Sequence, residues 1–259
     1  MNDSLDQVNI DGLRLECKFW AAPAPAAQTI VLLHEGLGSL ELWRDFPDRL
    51  CAATGCNILT YSRLGHGRSD QPATARNQRY LHQEAQQVLP RVIKHFDLTL
   101  PILFGHSDGA SIALLYAAAF PPAVSAIVVA APHLFVEEIT LAGIRLADDR
   151  FASGLEQRLS RYHNDAAALF FAWRDIWLSE PFLQWNIEAA VKDVRCPILA
   201  IQGEADQYGT LAQIERIKEL AGQTELLVLP GCGHAPHQEK TEVVLERVAE
   251  FLAKNSSSC

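Results

Sequence analysis

The sequence predicts an α/β fold in which helices cover both faces of one mostly parallel central sheet. From about residue 28 onward, short aliphatic runs alternate with longer helical patterns, as in parallel sheets whose strands are buried on both faces. The chain has 259 residues, of which 49% are hydrophobic and 20% charged. This is enough apolar material for one core, so we expect a single domain over residues 1–259.

Six apolar runs are expected to form the parallel part of the sheet, and most end at or just before Gly, Pro, His or Ser. They are residues 29–34, 57–61, 101–105, 125–130, 198–203 and 225–230. Before them, Asp11-Gly12 separates the strand-like residues 7–10 and 13–19, and Asp-Gly in this position signals a hairpin turn. The sheet is therefore expected to begin with an antiparallel pair.

Helical patterns occupy the segments between these runs. They cover residues 40–54, 80–96, 108–119, 211–221 and 236–252. Residues 133–193 differ, because they contain no clear strand pattern but several helical stretches and many aromatic residues. An insertion over the carboxyl ends of the strands predicts a helical cap, since ligands bind at that edge of open sheets. Most of its aromatics are expected to attach the cap to the body, and we expect His133, Trp173 and Trp177 to contact substrate.

Charge, hydropathy and cysteine usage argue against nucleic-acid and membrane partners and indicate the cellular location. The chain has 22 basic and 31 acidic residues, a net charge of −9, which disfavours nucleic acid. The N-terminus has no basic region, and no apolar run approaches the roughly 20 residues that cross a bilayer. Six scattered cysteines (17, 51, 56, 196, 232 and 259) fit neither a zinc site nor a disulfide scaffold. We expect a cytoplasmic protein with reduced thiols, a small-molecule substrate and no membrane partner, and leave homo-oligomerisation open.

The strongest local signal is the sequence GHSDG at residues 105–109, directly after an apolar run and directly before a helical pattern. Glycines permit the sharp, strained turn that presents a serine hydroxyl at the sheet edge. Ser107 would also lie at a helix N-terminus, where unpaired N–H groups favour negative charge. A plain turn with a capping serine is the alternative, and we expect Ser107 to be a nucleophile.

A serine hydroxyl needs a general base, and the base needs an acid that orients it. Asp206 follows the fifth apolar run and His234 follows the sixth, which produces the chain order Ser, Asp, His. Glu204 is the alternative acid, but its longer side chain suits a short, fixed geometry less well. An acid after the fourth run is disfavoured, because no carboxylate follows that run before Glu137.

Three other histidines compete with His234 for the role of base. We expect His237 to be a surface or helix-capping residue, His106 to pack behind the nucleophile, and His66 to be structural, on the turn after residues 57–61.

A tetrahedral oxyanion needs two N–H donors aimed at the developing charge. One is expected from the backbone of Asp108, which follows the nucleophile. The other is expected from the Gly-rich loop at residues 34–39, where Gly36 is our choice and Leu37 the alternative.

Together, LLHEGLGS, YSRLGHGRSD, GHSDG, GEAD and GCGHAPH resemble the α/β-hydrolase family, in the family's order and across nearly the whole chain. The resemblance implies a Ser-Asp-His hydrolase with a helical cap and with neither a metal nor an organic cofactor. Within the family, the Ser-Asp-Gly elbow is similar to the biphenyl hydrolase-like (valacyclovir hydrolase-like) branch. A serine at position 107 argues against the dehalogenases and epoxide hydrolases of the family, which use a carboxylate nucleophile.

This chain departs from the family pattern at two carboxylates. Glu35 replaces a common glycine, and Asp108 stands where many members have Met, Leu or Gln. We expect both to reach the pocket mouth, where they would favour neutral or amine-bearing substrates over anionic acyl groups. The alternative is that Asp108 caps its own helix and that Glu35 pairs with Arg63 or Arg68.

The predicted activity is that of a carboxylic ester hydrolase, which cleaves a small ester through an acyl-enzyme intermediate. Lactone, thioester and carbon–carbon bond hydrolysis would use the same triad. A lyase or acyltransferase that excludes water is a second class of function. A non-enzymatic ligand receptor is a third class, and the complete triad disfavours it.

Overall fold

The computed structural model describes residues 6–23 and 27–255, which contain an eight-stranded sheet. Its strands are β1 (Asp6–Ile10), β2 (Leu13–Trp20), β3 (Thr29–Leu33), β4 (Asn57–Tyr61), β5 (Ile102–His106), β6 (Ala126–Ala130), β7 (Ile198–Gly203) and β8 (Thr224–Leu229). Their spatial order is β1-β2-β4-β3-β5-β6-β7-β8. The pairs β1–β2 and β2–β4 are antiparallel and the other pairs are parallel. The predicted fold class and the antiparallel opening of the sheet are confirmed.

The hairpin between β1 and β2 turns at the predicted dipeptide. Asp11 and Gly12 have φ angles of 49° and 86°, and two left-handed residues of this kind match the right-handed twist of the flanking strands.

The central strands are buried on both faces, which explains their continuous apolar runs. Every residue of β3, β5, β6 and β7 is buried. Side chains alternate across the sheet, so that Leu103 of β5 belongs to one apolar core while Ile102 and Phe104 belong to the core on the opposite face. The helices that cover the two faces complete these cores.

Eleven α-helices lie in the described residues. They are α1 (Phe46–Thr54), α2 (Tyr80–Gln83), α3 (Leu89–His95), α4 (Asp108–Ala119), α5 (Glu138–Arg150), α6 (Glu156–Leu159), α7 (Ala166–Trp177), α8 (Glu188–Val191), α9 (Ala212–Leu220), α10 (Pro236–Glu239) and α11 (Thr241–Asn255). Short 3₁₀ helices cover Leu40–Trp43, Pro121–Ala123 and Glu180–Gln184, and π-helical turns cover Glu84–Val88 and Phe151–Leu155.

Two predicted helices are broken by non-helical backbone, and the helix predicted at residues 80–96 continues through α2, a π-helical turn and α3. The helix predicted at residues 40–54 breaks because Arg44 has a φ of 55°, outside the helical region. The helix predicted at 236–252 breaks at Lys240, whose φ of −132° and ψ of 43° are not helical.

The segment between β6 and β7 contains α5 to α8 and is irregular. Ser153 and Gly154 interrupt its helices, and Gly154 has a φ of 129°. The segment was predicted to contain no strand, and its extended pairing in the described residues is the single bridge between Phe135 and Asn186. It packs beside the carboxyl ends of the parallel strands, where the candidate site lies.

Membrane and disulfide features can be checked only in the described residues. None of their helices is both long and apolar enough to cross a membrane. Among the described cysteines, Cys51, Cys56, Cys196 and Cys232 form no disulfide, whereas Cys259 and both ends of the predicted domain lie outside the described residues.

Candidate active site

Ser107 occupies a strained turn between β5 and α4. Its φ and ψ angles are 53° and −117°, and positive φ is costly for a residue with a side chain. A Cβ atom at Gly105 would lie 2.2 Å from the carbonyl oxygen of Gly109, and one at Gly109 would lie 1.9 Å from that of Leu33. Both glycines are therefore required by the close approach of neighbouring backbone.

Ser107, His234 and Asp206 meet at the edge of the sheet from three separate strand ends. The Ser107 Oγ lies 3.0 Å from the His234 Nε2. The His234 Nδ1 lies 2.9 Å from each carboxylate oxygen of Asp206. This arrangement can transfer a proton from the serine to the histidine while the carboxylate holds the histidine in one orientation.

Asp206 is buried and held from two further directions. The Gln202 Nε2 donates to its Oδ2 at 2.6 Å, and the Tyr208 N–H donates to its Oδ1 at 2.7 Å. Burial would raise the pKa of Asp206, but His234 and the Tyr208 N–H outweigh burial and lower that pKa. Sequence reasoning missed Gln202, although a glutamine in the otherwise apolar strand β7 was a signal for it.

The alternative acids make other contacts. Glu204 is exposed at the surface. Glu137 accepts hydrogen bonds from Thr210 and Gln213. The structure thus brings Asp206, and neither of the alternatives, to His234.

His237 is not at the surface, so that expectation was wrong. Its side chain is 2% exposed and its ring packs against Trp43, Phe46 and His106. Since α10 folds back on the 3₁₀ turn before α1, it places this histidine in the core.

His106 and His66 have structural contacts. The His106 Nε2 donates to the His234 carbonyl at 2.7 Å, directly behind the candidate base. The His66 Nε2 donates to the Gly36 carbonyl at 3.1 Å, which ties the Gly-rich loop to the turn after β4.

The Gly-rich loop has its carbonyl groups anchored to the body of the protein. The Glu35 carbonyl accepts from Arg63 at 2.8 Å and from the Gly38 N–H at 3.0 Å, and the Gly36 carbonyl accepts from His66. A trans peptide directs its N–H opposite to the preceding carbonyl, so the N–H groups of Gly36 and Leu37 point away from these partners. Both residues line the cavity over Ser107, and both remain candidate oxyanion donors.

Asp108 is the first residue of α4, and its backbone N–H is one of the donors that a helix leaves without an internal acceptor. Its side chain is 1% exposed and does not cap the helix. The carboxylate accepts from the Tyr80 hydroxyl at 2.9 Å and lies 3.5 Å from the Arg63 Nη1, while the Trp177 Nε1 donates to the same hydroxyl at 3.0 Å. The negative charge of Asp108 is therefore compensated inside the protein.

Glu35 pairs with a histidine, and the alternative of an arginine partner was wrong. Its Oε2 lies 3.5 Å from the His106 Nδ1. Burial would raise the pKa of Glu35, but the neighbouring His106 outweighs burial and holds that pKa well below its usual range. Burial lowers the pKa of His106, and Glu35 more than reverses this so that the pKa is raised. The pair favours a carboxylate and an imidazolium behind His234.

The cavity over Ser107 measures about 100 Å³, below the roughly 300–1,000 Å³ of typical ligand pockets. All five residues that the sequence predicted to bind substrate line it, together with three that sequence reasoning missed. The predicted five are Glu35, Asp108, His133, Trp173 and Trp177, and the missed three are Thr140, Ile144 and Tyr208. Tyr208 could have been found, because it lies two residues after Asp206, where an Asx turn would bring its N–H to the carboxylate.

His133 is a neutral imidazole in the cavity wall. Burial, followed by the charge of His234, lowers its pKa to about 3. Its Nδ1 is buried without a hydrogen-bond partner among the described residues.

The described residues contain no group of three or more His, Cys, Asp or Glu side chains that could hold a metal ion.

The fold and the reactive groups at its sheet edge define the class of protein as an α/β hydrolase enzyme. The sequence model of the alpha/beta hydrolase family matches residues 30–247, and the chain belongs to this family.

Individual relatives are distant but match over most of their length. Human monoglyceride lipase is 23% identical, with 91% of this chain and 84% of the lipase covered. The enol-lactonase from Burkholderia xenovorans LB400 has a TM-score of 0.74 at 18% identity, with 95% and 99% of the two chains covered. The 2-hydroxy-6-oxo-6-phenylhexa-2,4-dienoate hydrolase from Rhodococcus sp. strain RHA1 has a TM-score of 0.79 at 15% identity, with 93% and 95% covered. The two solved structures share the fold of this chain.

Proposed function

We propose that this enzyme hydrolyses small carboxylic esters through an acyl-enzyme on Ser107. One observation carries the proposal: Ser107, His234 and Asp206 form a continuous hydrogen-bonded series with distances of 3.0 and 2.9 Å. A nucleophile, a base within reach and an acid that orients the base are the parts that acyl transfer requires.

In the proposed reaction, His234 takes the proton of Ser107 as the Oγ attacks the ester carbonyl. The N–H of Asp108 and the N–H of Gly36 or Leu37 stabilise the oxyanion. His234 then protonates the leaving alcohol. Water, activated by the same histidine, attacks the acyl-enzyme and releases the acid.

We further propose that the segment between β6 and β7 acts as a cap and limits the size of the acyl group. Trp173 and Trp177 of α7 and Ile144 of α5 line the cavity, and its volume of about 100 Å³ favours short acyl chains. The compensated charge of Asp108 reduces its influence on substrate charge. Glu35 is also paired, but its partner His106 does not line the cavity, whereas Glu35 does and its side chain is 27% exposed. Glu35 would therefore present the negative end of this pair to a short anionic acyl chain and disfavour it.

Lactones, thioesters and activated carbon–carbon bonds could be attacked by the same three residues, and they form the alternatives within this proposal. Membership of the biphenyl hydrolase-like branch rests on the Ser-Asp-Gly elbow and the inserted cap. The cytoplasmic location and the partners stay predictions.

Covalent labelling tests the nucleophile. A fluorophosphonate probe should label the wild type and the Ser160→Ala variant, which alters an exposed serine, but not Ser107→Ala. Short p-nitrophenyl esters, thioesters and lactones, assayed side by side, should show the esters turned over most rapidly. Labelling of Ser107→Ala, or turnover that survives in it, would contradict the proposal.

A further inference from the structure

A second cavity, which we term the outer groove, adjoins the candidate active site along α5. It has a volume of about 350 Å³. Six of the residues that line it are Ile139, Ala142, Leu146, Arg150, Arg158 and Tyr208. Tyr208 also lines the cavity over Ser107, which we term the inner cavity, so one side chain is shared by both cavities.

Tyr208 forms the wall between the two cavities. Its ring centre lies 4.8 Å from that of His234. On the other side, Gly143 of α5 approaches so closely that a Cβ atom there would lie 2.7 Å from the ring. The same helix contributes Thr140 and Ile144 to the inner cavity. The two cavities are therefore neighbours separated by one ring, and a substrate that occupies both would have to pass the Tyr208 side chain.

The size of the inner cavity makes such an extension necessary for any substrate larger than a short acyl ester. Another cavity, of about 460 Å³, lies against α7 between Ala168 and Ser179, but it shares no lining residue with the inner cavity. Of these two larger cavities, the outer groove is the one that shares a lining residue, Tyr208, with the cavity over Ser107.

The outer groove has an unusual charge for a protein with a net charge of −9. Arg150 and Arg158 line it, and no Asp or Glu is among the described residues that do so. Both arginines are exposed, and neither forms an ion pair within the described residues, whereas Arg174 nearby is paired with Asp148 and Asp175. The groove thus presents two guanidinium groups that have no counter-ion among the described residues.

Tyr208 supplies a third donor at the same place. Its hydroxyl makes no hydrogen bond to the described residues, although the backbone of Tyr208 is held at both its N–H and its carbonyl. Burial raises the pKa of Tyr208, and the positive charge of Arg150 opposes the rise, because that charge lies close to the phenol. Guanidinium and phenol donors in one groove match the oxygens of a carboxylate or a phosphate.

We propose that the outer groove binds the distal part of the substrate, and that Arg150 and Arg158 select a distal part that carries an anionic group. This inference rests on the proposed ester hydrolysis at Ser107 and names the class of substrate for it. An anion close to the scissile bond meets Glu35 in the inner cavity, whereas an anion further away reaches the arginines. The preference for a negative charge should therefore reverse with the length of the chain that carries it.

The test uses p-nitrophenyl monoesters of linear dicarboxylic acids from succinic to suberic acid. Each is paired with the compound in which the far carboxyl is a methyl ester. A second series places the charge on the leaving group. It consists of acetate esters of ω-hydroxy acids, each paired with the acetate ester of the corresponding ω-hydroxy acid methyl ester. The quantity measured is the ratio of kcat/KM for the anionic to the neutral partner. In the wild type this ratio should be below one for the succinyl pair. For the longer chains of at least one series it should be about 3–10, because exposed charges contribute only modestly to binding.

The Arg150→Gln/Arg158→Gln double variant should lower the ratio for the longer chains to about one, through KM. The matched control is Arg145→Gln, which removes another exposed arginine of α5 that is outside the groove and should leave the ratio unchanged. A wild-type ratio at or below one for every chain length in both series would overturn the inference. So would a ratio that the double variant leaves intact.

A binding measurement separates this inference from the proposed hydrolysis. Suberic acid monomethyl ester is titrated by calorimetry into Ser107→Ala and into the same variant with both arginines replaced. If the affinity is lost when the arginines are replaced, the outer groove is supported. The absence of ester turnover would then reject only the proposed hydrolysis. Ester turnover without arginine-dependent binding would reject only the groove.

Discussion

The edge of the sheet that carries Ser107 and the helical segment between β6 and β7 are built in different ways. At the edge, the backbone of Gly109 lies so close to the backbone of Leu33 that no side chain fits at position 109. The adjoining strands are fully buried. The helical segment is interrupted at Gly154 and exposes large apolar side chains such as Leu146, which is 46% exposed. The difference indicates that the candidate catalytic residues are held by close backbone packing, while the segment proposed to select the substrate is packed less regularly.

The largest effect is expected from the acid at the sheet edge. Asp206→Asn should lower kcat on the order of 10⁴-fold, because an amide can hold His234 in the wrong tautomer. Glu204→Gln, two residues away and exposed, is the matched control and should change kcat less than about twofold. Steady-state kinetics on a short ester measures both. If Glu204→Gln proves the more damaging change, the acid must be reassigned.

A smaller effect, on stability, is expected from the backbone packing at the same edge. Gly109→Ala would place its Cβ 1.9 Å from the Leu33 carbonyl oxygen, and relief of the clash should cost about 3 kcal/mol of unfolding free energy. Gly222→Ala, where a Cβ meets nothing within 4 Å, should change it by less than about 1 kcal/mol. Urea denaturation measures both variants. Equal stabilities would show that the edge is no more tightly packed than the loops.

The smallest effect on the unfolding free energy, counted per residue, is expected from the histidines that are buried in the two regions. Burial lowers the pKa of five of them, to about 3 for His133 and about 4 for His163. The others with a lowered pKa are His34, His66 and His237. The folded protein keeps these imidazoles neutral, so unfolding takes up protons below the ordinary pKa of 6.5 and stability is lost as pH falls. His106 opposes this, since its raised pKa makes the folded state bind a proton more readily.

The expected outcome is that the unfolding free energy falls by more than about 1.4 kcal/mol per pH unit between about pH 6 and pH 5, since 1.4 corresponds to one proton. Urea denaturation at each pH measures this slope. His163→Asn, in the helical segment, should reduce the slope, whereas His95→Asn, at an exposed position of α3, should not. A slope of zero would mean that the buried histidines are protonated in the folded protein.

The sequence predicted the strands better than the helices, for a physical reason. Strands buried on both faces are apolar at most positions, and residues 57–61 and 198–203 were predicted with the bounds of β4 and β7. Helix interruptions depend on single dihedral angles such as that of Arg44, which leave no apolar pattern in the sequence. The breaks at Arg44 and Lys240 were therefore missed.

The sequence by itself determined the fold class and the motifs at the strand ends, because apolar periodicity and glycine-dependent turns are local properties of the chain. Only the tertiary structure decided which side chains neutralise one another. Residues distant in the chain come together when the sheet forms, so Glu35 meets His106 instead of an arginine, Asp108 meets Arg63 and Tyr80, and His237 is buried. The outer groove is also a product of tertiary packing, since it exists only where α5 lies against the loop that carries Tyr208.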